Sequence, residues 1–78
     1  MLNENDDIVN KLKERIKVSK QLYGLSYTRL ANTVGISPIT LYNFLSGRQK
    51  LSKKKQVDIL IAMEIWQRQF MEVFNKLI

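Results

Sequence analysis

Residues 30–50 read LANTVGISPITLYNFLSGRQK, and this stretch holds a helix stop, a helix start and a second stop in close succession. That punctuation limits the chain to short helices joined by tight turns. Gly35 ends the first helical pattern, because glycine takes the left-handed conformation without a Cβ clash. Ser37 offers an N-cap oxygen, and Pro38 falls on the first helical position, where its missing N–H costs nothing. Gly47 closes the second pattern. The spacing therefore predicts one helix that begins after a Ser26 cap and buries Leu30, Ala31 and Val34. A second helix follows the Ser37 cap and buries Leu41, Phe44 and Leu45.

On either side the apolar spacing is also helical, with no sustained two-residue alternation. A first helix is expected over residues 7–23, opened by Asp6 and Asp7 and ended by Gly24, with Ile8/Val9, Leu12, Ile16 and Tyr23 as its core stripe. A fourth is expected from the Ser52 cap to residue 78, with no proline or glycine inside it. The 78 residues make one domain, and a chain of that size buries only about 60% of the surface its unfolded form exposes. The expected class is all-α, a small bundle of four to five helices with a central helix-turn-helix and a long C-terminal helix. Residues 1–6 are expected to be flexible, and residues 52–78 to form a helical segment with a possible role in dimerisation.

Composition removes several functions. With no cysteine and no histidine there is no disulfide, no thiolate site and none of the usual zinc ligands, so no metal and no cofactor are expected. The serines have helix ends to cap and no base beside them, and no Gly-rich phosphate loop appears, so the chain does not read as an enzyme. No small-molecule ligand is evident. The longest uncharged apolar run, residues 59–63, is too short to span a membrane, and the N-terminus lacks the order of a signal peptide. A cytoplasmic protein is expected, associated with the nucleoid if it binds DNA.

A helix-turn-helix makes specific demands, and they are met here at the right mutual spacing. The small Ala31 lets two helices approach, Gly35 accepts the positive φ of the turn, and Ile36 plugs the space between the helices. Leu41 and Phe44 then hold the following helix in place. In YTRLANTVGISPITLYNFLSG the chain resembles the lambda-repressor and Cro-like helix-turn-helix family, through Leu30, Ala31, Gly35, Leu41 and Gly47. The piece TLYNF is also similar to the recognition helix of tetracycline-repressor proteins, although this chain is too short to include their ligand-binding domain. The resemblance implies sequence-specific binding of double-stranded DNA by a small, repressor-like transcriptional regulator of phage, plasmid or bacterial origin. Two positions depart from the family pattern: Tyr27 stands where a phosphate-gripping glutamine is usual, and Pro38 and Ile39 replace early glutamines or arginines.

Charge supports that class of partner. The net charge is +6, and residues 8–55 hold eleven lysines and arginines against one acid, Glu14. A helix start carries a partial positive charge and favours acids. Yet Arg29 lies three residues after Ser26, and Lys53, Lys54 and Lys55 follow Ser52 directly. Free N–H groups beside such lysines make a phosphate site. Expected phosphate contacts are Tyr27, Thr28, Arg29, Thr40, Arg48, Lys50, Lys53, Lys54 and Lys55. Expected base contacts, on the face opposite Leu41 and Phe44, are Ser37, Pro38, Ile39, Tyr42, Asn43 and Ser46. Asn43 can pair bidentately with adenine, and Ile39 can touch a thymine methyl. With no arginine on this face, an AT-leaning site is expected.

Beyond Ile59 the apolar residues Met63, Trp66, Phe70, Val73 and Leu77 follow in steps of four and three, a heptad-like seam. A homodimer is expected, with Trp66, Phe70, Val73, Phe74 and Leu77 at its interface. The competing arrangement folds Trp66 and Phe70 back onto the first helix as core. The competing function is a protein-binding adaptor or small inhibitor that uses Pro38, Ile39 and Tyr42 against a partner protein. A membrane-surface role ranks below both, because the bases cluster on the motif and not along the apolar C-terminal helix.

Overall fold

A computed structural model describes the backbone of residues 4–77 and the side-chain environment of residues 7–77. Four helices follow one another, α1 (Glu4–Tyr23), α2 (Tyr27–Val34), α3 (Pro38–Leu45) and α4 (Lys53–Leu77), and no strand occurs among the described residues. The fold is a small all-α bundle with a central helix-turn-helix and a long, unbroken last helix. The first helix starts at Glu4, three residues earlier than its acidic start suggested, so part of the tail expected to be flexible is helical. Residues 1–3 and 78 lie outside the described residues.

The caps follow from side chains that serine supplies three times. Ser26 Oγ accepts from the Arg29 N–H at 3.2 Å, Ser37 Oγ from Thr40 at 3.0 Å, and Ser52 Oγ from Lys55 at 3.2 Å. Gly35, at φ 78°, closes α2: its N–H points back to Asn32, and the Ile36 N–H reaches the Ala31 carbonyl at 3.0 Å. Gly47, at φ 82°, repeats this geometry after α3, with the Arg48 N–H on the Asn43 carbonyl at 2.9 Å.

One core joins all four helices. Leu12 and Ile16 come from α1, Leu30, Ala31 and Val34 from α2, Leu41, Phe44 and Leu45 from α3, and Ile59 and Met63 from α4, with Leu25 beneath the first turn. Burial of one such side chain contributes about 1.5–3 kcal/mol. Ala31 is wholly buried, which lets α2 lie close against its neighbours. Two positions of the α1 stripe differ from expectation. Ile8 is 61% exposed, and Tyr23 sits at the edge of the core. Ser19 takes an inward place on the stripe instead, and the Gln67 side-chain amide donates to its hydroxyl at 3.3 Å.

Helices α1 and α4 lie side by side in the same sense. Arg15 bonds Glu64 at 2.6 Å and Gln67 at 3.0 Å, Ser19 meets Gln67, and Tyr23 meets Trp66 and Phe70. Because α1 ends at the level of Phe70, the last turns of α4 extend past it.

Lys55 is a structural residue. Its Nζ donates to the Val34 carbonyl at 2.7 Å and so ties α4 to the C-terminal end of α2. A cation suits that negative end of the dipole. Lys55→Glu should therefore destabilise the fold by about 1–2 kcal/mol, the upper range for a partly buried charge at a helix end. A lower denaturant midpoint at unchanged m-value would record this.

Candidate nucleic-acid interface

The outward face of α3 carries Pro38, Ile39, Tyr42 and Asn43. Ile39 and Tyr42 are strongly exposed, while Asn43 is half-buried. Leu41, Phe44 and Leu45 turn inward on the same helix, so the short α3 divides into a packed face and a free one. Two of the residues expected to contact bases are engaged within their own segment. The Ser37 hydroxyl caps α3 and lies 2.8 Å from the Thr40 hydroxyl, and the Ser46 hydroxyl donates to the Asn43 carbonyl at 3.2 Å. Pro38, Ile39, Tyr42 and Asn43 remain as the side chains free to meet a ligand. Thr40, expected at phosphate, spends its hydroxyl on Ser37.

Exposed polar and cationic residues lie in the segments before and after α3. Thr28 and Arg29 are exposed in the first turn of α2, Arg48 and Lys50 in the loop after α3, and Lys53 and Lys54 in the first turn of α4. None of these three helices has an acid in its first turn. The ion pairs among the described residues are Lys11 with Asp7 at 3.2 Å and Arg15 with Glu64 at 2.6 Å. Arg29, Arg48, Lys50, Lys53 and Lys54 are therefore unpaired among the described residues. Of the nine residues expected at phosphate, Lys55 is turned to another task by its bond to Val34.

Tyr27 is half-buried at the start of α2, with the Lys20 ammonium 4.2 Å from its ring centre. Burial pushes its phenol up from the ordinary value, so the hydroxyl stays protonated and able to donate. Lys20 belongs to a stripe that sequence reasoning passed over. Lys13, Lys17 and Lys20 share one side of α1, and the Lys13 ammonium sits 5.0 Å from the centre of the Phe44 ring. Their spacing of four and three was the available signal. Spacing alone could not say that the stripe flanks α3.

Among the described residues, no group of acids could hold a metal ion, and no helix is long and apolar enough to cross a membrane. No family model, curated protein or solved structure matches the chain.

Proposed function

We propose that the chain binds double-stranded DNA sequence-specifically through α2 and α3, as a small repressor-like regulator of transcription working in the cytoplasm as a homodimer. The observation that carries this reading is the free face of α3, flanked by Lys17 and Lys20 of α1, in a chain whose other exposed motif cations have no described acid to neutralise them. A helix presented in this way fits the major groove, where base edges offer a distinct donor and acceptor pattern. The lysines and the open N-terminal amides then meet phosphate. Pairing two copies through the C-terminal end of α4 would set two α3 helices on a palindromic site about 34 Å apart.

Selection from a pool of random duplexes tests this reading, and recovery of no preferred sequence would sink it. Within the selected site, Asn43→Ala should cost about 1–3 kcal/mol and little on unrelated duplexes. A mutant that keeps the wild-type preference would move base readout to Tyr42, Ile39 or DNA shape. The backbone carbonyl of Asn43, which holds Arg48 and Gln49 in place, is untouched by this change.

A protein partner is the second reading, favoured by the apolar character of Pro38 and Ile39 beside Tyr42. Salt separates the two, since DNA binding through several phosphates falls steeply as salt rises. Binding to an apolar protein surface does not.

A further inference from the structure

Between the C-terminal half of α1 and the end of α3 lies an open cleft of about 610 Å³. Lys17 and Lys20 line it from α1, Tyr27 from α2, Tyr42 and Leu45 from α3, and Ser46 from the cap that follows. Neither the loop cations Arg48 and Lys50 nor Lys53 and Lys54 of α4 contribute to it. Its walls thus bring two ammonium groups and two phenols to the flank of the helix whose face is free. Like charges one turn apart on a helix repel. Here that repulsion is met by no described carboxylate, while the contact with the Tyr27 ring draws the Lys20 ammonium toward the cleft. Such a cleft is complementary to an anion that is extended, and Tyr42 makes it continuous with the outward face of α3.

We propose that this cleft holds the sugar–phosphate backbone of one DNA strand, giving the protein a phosphate track separate from the one proposed for the α3–α4 loop and the first turn of α4. The inference rests on the DNA-binding reading and adds residues to it. Lys17 and Lys20 supply the charge, and the Tyr27 and Tyr42 hydroxyls can donate to phosphate oxygens. The cleft positions the duplex and carries no base readout, so its loss weakens all sequences alike.

The test is fluorescence anisotropy of the wild-type chain, a Lys17→Ala/Lys20→Ala variant and a Lys53→Ala/Lys54→Ala variant on the selected duplex and on a scrambled one, over a salt series. Removing one lysine from a phosphate should flatten the slope of log affinity against log salt by roughly 0.9. The Lys17/Lys20 variant is expected to lose about two such units with its sequence preference intact. Lys17 is exposed, so Lys17→Ala alone should keep the wild-type melting curve and lose about one unit. That single variant decides the matter if the double variant unfolds. A flattened slope for Lys53/Lys54 with an unchanged slope for Lys17 would overturn the cleft assignment and leave the DNA reading standing. A wild-type chain that binds neither duplex would overturn both.

Discussion

Phe44→Ala should remove about 3–5 kcal/mol of stability, the cost of truncating a large aromatic in a core that cannot collapse around the gap. Phe44 is 1% exposed, and it is the largest side chain of the inward face of α3. A chain of 78 residues has only about 4–12 kcal/mol to lose at the usual stability per residue. The melting temperature should fall by about 12–40 °C, at roughly 4–8 °C per kcal/mol for a domain this small. The contact of the Lys13 ammonium with the ring is lost as well. Tyr42→Ala supplies the control. Tyr42 stands two residues away and is 64% exposed, so its truncation should change stability by no more than about 0.5 kcal/mol. Thermal melts of both variants, followed by circular dichroism at one protein concentration, check the pair. Equal losses would mean that α3 is packed with a different face inward, and with it the free face would have to be reassigned.

The division of α3 into those two faces was legible in the sequence. It rests on local rules: a serine cap, a proline at the first helical position, and the steps from Leu41 to Phe44 and Leu45. The same holds for the turn at Gly35, for Gly47, and for the continuity of α4, where nothing in the chain breaks the helix. Local rules served less well on α1. Periodicity offered Ile8, Val9, Leu12, Ile16 and Tyr23 as one stripe, but how much of a stripe is covered depends on where its neighbour begins and ends. Helix α4 leaves Ile8 open and reaches Tyr23 only with Trp66 and Phe70, while Ser19 is covered because Gln67 happens to lie above it.

Charge showed the same limit. Lys53, Lys54 and Lys55 are identical in sequence terms, three bases in one helical first turn. Their roles part because Lys55 faces back toward the end of α2, where an orphan carbonyl waits, while the other two stay exposed. The cationic start of α4 thus has two causes. One base completes the fold, and the other two stay exposed, where the proposed phosphate contact would use them. Lys17 and Lys20 were missed for the converse reason. They precede the motif, some twenty residues before α3, and come beside α3 only through the packing of α1.

Phe74→Glu should yield a folded chain that remains monomeric at micromolar concentration and binds its duplex at least about a hundredfold more weakly, the loss expected when two linked binding units act singly. The reason lies in the alignment of α1 with α4. Tyr23, the last residue of α1, packs at 5.3 Å against Phe70. Beyond that level Val73, Phe74 and Leu77 stand 59%, 47% and 81% exposed. The aromatic contact of Phe74 is with Phe70 alone, ring centres 6.4 Å apart, so a charge at position 74 leaves the core intact. Trp66 is a different case: half-buried, it packs on the core and meets Tyr23 edge-on, and so belongs largely to the fold itself. Phe70 packs on Tyr23 and Trp66 as well as on Phe74, which makes Phe70→Glu a poor discriminator between unfolding and dissociation. Sedimentation of the wild-type chain and of Phe74→Glu, paired with anisotropy on the selected duplex, reads out both parts of the expectation. A wild-type chain that is monomeric at high concentration would refute the dimer. A Phe74→Glu chain that stays dimeric would move the interface to the exposed Val57, Ile61 and Ile65 of α4. The two alternatives differ in consequence, because an interface at the overhang leaves both α3 faces clear of the partner copy, whereas one at Val57 lies beside the Lys53 and Lys54 that phosphate would need.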